Sequence, residues 1–236
     1  MRERCAAIGR AVAVAERTRS QARLRVYALV KPPVAKLRMR GVDNEPLNQI
    51  TVGAVSAVVG ERRNVQQPTS AVLARYAAIV GRIGDRTAAI VPARFATEVT
   101  SVDELTSILR LRQPGLARTL RHVRNRVQMT VRVIGLRKAD PPKPARRTSG
   151  TTYLRDRATT ATLLHVLPGI EPVRAAIKRW VRDERVDVHE RVTTVYHLIP
   201  RQSAVAYARA IEAAAERAGV RAIVSGPWPP YAFSEA

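Results

Sequence analysis

A chain of 236 residues, 46% apolar and with a formal net charge of +22, can bury one large or two small cores and is too apolar to be a disordered polyelectrolyte. No apolar run approaches the ~20 residues that cross a bilayer; Ala54 to Val59 is too short, and Ala71 to Val80 contains Arg75. Cys5 is the only cysteine, which excludes an intramolecular disulfide and a cysteine-based metal site and fits a reducing cytoplasm.

Residues 1–21 read as a weakly amphipathic N-terminal extension. Arg10 and then Glu16-Arg17 interrupt its apolar part, unlike a signal peptide. Leu24, Val26, Ala28 and Val30 alternate as a strand does, and Lys31-Pro32-Pro33 ends it. Ile50 to Val59 is apolar on both sides and reads as one central strand. Pro68-Thr69 opens a helix whose stripe is Val72, Leu73, Tyr76, Ile79 and Val80, with Gly81 and Gly84 as stops. A short strand, Thr87 to Val91, runs into Pro92-Ala93-Arg94-Phe95. Ser101-Val102-Asp103-Glu104 is a capping box. It starts a helix carrying Leu105, Ile108 and Leu109, which Pro114-Gly115 should break before a short continuation to Val123. Arg126 to Val133 alternates cleanly, with Val127, Met129, Val131 and Val133 on one face.

The order β-β-α-β-α-β over residues 22–137 predicts an α+β chain whose N-terminal domain is a ferredoxin-like α/β sandwich. Residues 138–150, rich in proline and arginine, read as a linker. Residues 151–236 then read as a smaller, helix-rich α+β C-terminal domain. Its expected elements are helices over Thr152 to Val166 and Val173 to Val181, and one strand within Val186 to Ile199, taken from Val192 onward and ended by Pro200. A Ser203-capped helix follows, with Val205, Ala208, Ile211 and Ala215 inward and Gly219 as its stop. After a strand at Val220 to Ser225 comes Gly226-Pro227-Trp228-Pro229-Pro230-Tyr231-Ala232-Phe233. Three prolines exclude regular ladder pairing and predict a stiff extended tail. Its aromatic residues either lock the terminus onto its own domain or anchor a partner.

Catalytic and cofactor motifs are missing. Gly81-Arg82-Ile83-Gly84 has neither the spacing nor the Lys-Ser/Thr of a phosphate loop. His122, His165, His189 and His197 lack metal-ligand spacing. No carboxylate pair is singled out for acid-base work. The reading is therefore a non-enzyme with no metal, no cofactor and no small-molecule substrate. The charge favours acidic partners, although a bias toward Arg, Ala and Val also fits a GC-rich genome. A basic nucleic-acid-binding module is the alternative. Against it, the arginines from Arg110 to Arg147 have no aromatic side chain among them for base stacking, and no specific nucleic-acid motif is present.

The tail resembles the C-terminal signature of the gas vesicle protein F/L family. Arg25-Val26-Tyr27-Ala28-Leu29-Val30 resembles that family's opening strand, and Val52 to Val59 its Ala-Val-Val segment. Ile90 to Thr97, with Pro92, Arg94 and Phe95, is similar to its Pro-x-Arg-Phe-Gly-Thr stretch. Gly150-Thr151-Thr152-Tyr153-Leu154 is similar to the start of its second domain. These landmarks keep the family's order over residues 24–236. Ala96 stands where the family usually has glycine, and Gln128 where it often has glutamate. The resemblance implies a cytoplasmic, vesicle-associated accessory or minor structural protein of gas vesicle assembly. It would bind the hydrophobic major shell protein and other accessory proteins, with no membrane and no specific nucleic acid as partner. Pro92, Arg94, Phe95, Tyr153, Gly226, Pro227, Trp228, Pro229, Pro230, Tyr231 and Phe233 become its candidate structural or partner-binding residues.

Overall fold

The computed structural model describes residues 23–32, 37–62, 67–134, 171–189 and 192–234. The expected extension, the 138–150 linker, the Thr152 to Val166 helix and Tyr153 lie outside the described residues. The chain divides into two compact units, the first ending at Arg124 and the second running from Asn125 to Phe233.

In the first unit, β1 (Leu24–Val30) lies between β3 (Val55–Glu61) and β4 (Ile90–Pro92), with β2 (Leu47–Val52) outside β3. A short β5 (Glu98–Val99) also pairs with β1, and every pairing is antiparallel. The single strand expected over Ile50 to Val59 is a hairpin. Val52 pairs with Val55, so Gly53 and Ala54 form a two-residue turn, and Gly53 takes the positive φ, +54°, that such turns need. Apolar residues on both sides of this turn had disguised it.

Helix α1 (Ser70–Asp85) starts where expected, with the Thr69 hydroxyl accepting from the Val72 amide. It runs through both expected glycine stops because Ile79, Val80 and Ile83 are buried against the sheet core, which outweighs glycine's low propensity. Helix α2 (Val102–His122) likewise continues through Pro114. Leu105, Leu109, Leu116 and Leu120 stay on one buried stripe across the proline, so their burial holds together what one missing hydrogen bond would loosen.

The capping box forms with one shift. Ser101 Oγ accepts from the Glu104 amide at 3.1 Å, while the Glu104 carboxylate reaches Thr100, accepting from its amide and hydroxyl at 2.6 and 2.5 Å. These bonds hold the Glu104 carboxyl below its ordinary pKa. A depressed folded pKa adds stability above the unfolded value, and that stability is lost as pH falls through the folded one. Replacing Glu104 with Gln should therefore flatten the acid limb of a stability-versus-pH curve measured by urea unfolding.

A buried polar network sits under β1. Glu45 is fully buried and accepts from the Tyr27 hydroxyl at 2.5 Å and the Asp43 amide at 2.8 Å. The Tyr27 oxygen accepts in turn from the Val42 amide at 2.8 Å. Burial first, then the Glu45 carboxylate, push the Tyr27 hydroxyl well above the usual phenol range, so it remains a donor. Replacing Tyr27 with Phe orphans a carboxylate oxygen and an amide, and should lower the unfolding free energy by about 1–3 kcal/mol in urea denaturation.

The second unit holds β6 (Arg126–Ile134), α3 (Glu171–Ile177), β7 (Asp183–His189), β8 (Val192–Pro200), α4 (Ala204–Ala218) and β9 (Arg221–Trp228). Its sheet order is β7-β8-β6-β9, all antiparallel. The α+β class stands. Among the described elements the β-α-β-β-α-β order with a split βαβ sheet lies in this unit, and Arg126 to Val133, expected in the first unit, pairs with β8 and β9 and adds no strand to the first sheet. The second compact unit accordingly begins at Asn125, ahead of that strand.

Val127, Met129, Val131 and Val133 face α3 and α4 in its core. Helix α4 ends at Gly219 as expected, but Ser203 makes no side-chain cap. Its buried stripe is Ala204, Tyr207, Ile211, Ala214 and Ala215. Val205, expected inward, is exposed, because the stripe is turned to bury the Tyr207 ring.

Candidate functional site

The C-terminal segment does not form an extended rod. Gly226, Pro227 and Trp228 complete β9, with Trp228 opposite Gln128 and Ser225 opposite Thr130. Gly226 and Pro227 on β9 thus stand opposite Met129 alone on β6, a bulge that accommodates a proline without an amide to donate. Gly226 sits at φ +125°, and a β-carbon there would lie 2.9 Å from the Gln128 carbonyl oxygen. The position requires glycine on both counts.

Beyond Pro229-Pro230 the chain turns through a 3-10 turn, Tyr231–Phe233. The Phe233 amide donates to the Pro230 carbonyl at 3.1 Å and the Tyr231 amide to the Pro229 carbonyl at 2.8 Å. This segment returns onto the sheet face opposite the helices. The buried Gln128 side chain accepts from the Ala232 amide at 2.8 Å, and the Arg185 guanidinium lies 5.6 Å from the Phe233 ring centroid. The aromatic residues therefore divide. Phe233 is buried, whereas Trp228 is 47% and Tyr231 37% exposed. Ile223, 46% exposed, lies on the same edge strand β9.

The Pro92 to Thr97 stretch shapes a turn in the first unit. Pro92 ends β4 opposite Ala28 and is buried. Phe95 meets the edge of Tyr76 at 5.3 Å, and Tyr76 stacks on Tyr27 at 5.3 Å. Arg94 is exposed, and its carbonyl accepts from the Thr97 amide and hydroxyl at 3.1 and 2.8 Å. Ala96 takes φ +63°, a conformation that disfavours any residue with a β-carbon. Replacing Ala96 with Gly should raise the unfolding free energy by about 0.5–1 kcal/mol. Replacing Gly226 with Ala should lower it by more than about 1 kcal/mol. Denaturant midpoints of the two variants against the parent chain check both signs.

Sequence reasoning overlooked a buried cluster in the second unit. His197 on β8 faces Glu184 on β7, its register partner, with Nε2 2.7 Å from Oε2. Nδ1 lies 2.5 Å from the Tyr207 hydroxyl on α4. The other Glu184 oxygen is 3.5 Å from Arg174, and Trp180 packs edge-on against Tyr207. Burial first, then the Glu184 charge, push the Tyr207 hydroxyl far above its usual range. A cavity of about 400 Å³ adjoins this cluster, lined by Arg174, Lys178, Glu184 and His197 among others. Both imidazole nitrogens already have partners and Tyr207 is fully buried, so the cluster orders the core and leaves no free base or nucleophile. Period-two counting from Val195 and Ile199 would have placed His197 on the buried face. Among the described residues no group of His, Cys, Asp and Glu side chains could hold a metal ion, and no helix is long and apolar enough to cross a membrane.

Residues 24–235 match the profile of the family described as gas vesicle synthesis protein GvpL/GvpF. The chain belongs to the GvpL/GvpF family. The fold agrees with two crystal structures. Gas vesicle protein GvpF from Microcystis aeruginosa superposes with a TM-score of 0.72 at 14% identity, over 92% of this chain and 100% of that one. GvpF from Anabaena sp. superposes with a TM-score of 0.71 at 13% identity, over 91% and 96%. No curated protein matches the sequence. In this GvpL/GvpF chain, Gly226 at its bulge, Phe233 under Arg185 and Phe95 on the Tyr76 ring are set by the fold's own packing.

Proposed function

We propose that this GvpL/GvpF protein is a non-enzymatic accessory or minor structural protein of gas vesicles, working in the cytoplasm in association with them. It binds the hydrophobic major shell protein, alongside other accessory proteins, and assists vesicle assembly. The observation that carries this reading is the family match over nearly the whole chain, residues 24–235.

Edge strand β9 supports it with a physical route. A shell subunit that has not yet assembled exposes apolar surface and strand edges, both aggregation hazards. Among the described residues strand β9 pairs with β6 alone, and its exposed Ile223 and Trp228, with Tyr231 just beyond, provide apolar anchors beside its other edge. An extended segment could add to that edge and place side chains against these rings. In this reading Gly226, Pro227, Pro229, Pro230 and Phe233 hold the tail, and Trp228 and Tyr231 touch the partner. The turn built by Pro92, Arg94 and Phe95 serves the first unit's shape. The nucleic-acid alternative has only the net charge behind it.

The test is co-purification of the tagged protein with co-expressed shell protein, washed at about 0.5 M salt, where screening cuts electrostatic reach to a few Å. Shell protein should be retained while nucleic acid washes away. Replacing Trp228 and Tyr231 with Ala should weaken retention about tenfold, the loss expected of an aromatic anchor, while leaving the folded state intact. Loss of shell protein with nucleic acid still bound would overturn the proposal.

A further inference from the structure

Helix α2 has two faces of different character. Leu105, Leu109, Leu116 and Leu120 are buried. At 100° per residue, Arg110, Arg118 and Arg121 fall within an arc of about 80° on the opposite side, with Leu111 about 20° beyond Arg118. All three arginines are exposed, and Leu111 is 83% exposed, the most exposed of the large apolar side chains among the described residues. The stretch from Arg110 to Arg121 is about 16 Å long.

These arginines differ from others in the protein. Arg25, Arg62 and Arg174 each lie within ion-pair distance of a carboxylate. Among the described residues, Arg110, Arg118 and Arg121 have no such partner. Arg121 has a reason of its own, because a cation in the last turn complements the helix dipole. Arg110 and Arg118 lie too far from the helix end for that. Arg118 and Arg121 stand three residues apart, where like charges repel. An acidic ligand would relieve that repulsion.

We propose that the exposed face of α2 docks an acidic, leucine-bearing segment of another protein. Leu111 amid the arginines favours a polypeptide, whose apolar side chains can cover it, over a phosphate backbone. The sequence has no aromatic residue between Phe95 and Tyr153, so the helix has no ring on which a base could stack. A second copy of this chain is a poor occupant, since two bodies of net charge +22 repel. Asp103 and Glu104 in the first turn mark where the cationic face stops. This surface lies in the first unit, and its test is independent of whether the tail binds shell protein.

The experiment uses the full chain and fluorescence anisotropy at about 0.15 M salt, where the Debye length is about 8 Å. The probes are a labelled synthetic Glu-rich peptide with leucines at helical spacing and an oligothymidylate of equal charge. The combined Arg110→Glu and Arg118→Glu variant should weaken peptide binding at least about tenfold. A control with Arg75→Glu and Arg209→Glu, exposed on α1 and α4, carries the same change in net charge and should leave binding within about twofold. Leu111→Ala should weaken the peptide several-fold and leave the oligonucleotide unchanged. Far-UV circular dichroism confirms that each variant is folded, which these exposed positions permit. Equal loss in the two double variants would reduce the effect to overall charge and overturn the proposal. So would an unaffected Leu111→Ala variant, or an oligonucleotide that binds more tightly than the peptide and is displaced by the same α2 charge swaps.

Discussion

Strand β6 is hydrogen-bonded on both sides, and the second unit is built around that double ladder. Its register with β8 runs unbroken from Arg126 opposite Pro200 to Ile134 opposite Val192. On the other side β9 follows it from Arg221 to Trp228 with a single bulge. Both partners lie far along the chain, so each ladder carries a large loop-closure cost. What offsets it is the apolar face of β6, where Val127, Met129, Val131 and Val133 meet both helices. The opposite face of β6 supplies Gln128, whose amide oxygen receives the returning tail. One strand therefore joins the core to the surface from which Trp228 and Tyr231 are presented.

The first unit depends on a different balance. Arg25 and Asp43 are both almost fully buried at 3.3 Å from each other, and Glu98 lies within 3.9 Å of Arg25. Taking such groups out of water costs several kcal/mol per ion, and pairing returns that only when the geometry is good. Here Glu45 and Tyr27 extend the network to the Asp43 and Val42 amides, so the loop after residue 37 is tied to β1 by charged and neutral bonds together. A network of that kind contributes less to net stability than to selecting one arrangement of loop and strand. The apolar side chains around it, including Val30, Val58, Ile79 and Ile83, supply the bulk of the driving force.

The landmark residues are of two physical kinds. Gly226, Phe95 and Phe233 are explained by what they touch inside the fold: a carbonyl approached too closely for a β-carbon, a tyrosine edge, a guanidinium. Trp228, Tyr231 and Arg94 are exposed, so each keeps side-chain surface available to a partner. Function is to be sought among the second kind. Folding explains the first.

Sequence by itself determined what depends on near neighbours. Alternation assigned the faces of β6, Thr69 and Ser101 marked the starts of two helices, Gly219 marked the end of another, and the ordered landmarks named the family, whereas a bulge between Val26 and Ala28 breaks the single face expected of β1. Those features are set by backbone geometry within a few residues, so one chain suffices to read them. Tertiary structure alone decided which sheet β6 joins, whether α2 survives Pro114, where Ile50 to Val59 turns, and that His197 is buried between Glu184 and Tyr207. It also folded the proline-rich tail back onto β6. Each of these depends on partners tens of residues away. Burial against such partners is worth more than the local propensities of proline, glycine or a lone histidine, and no local pattern records it.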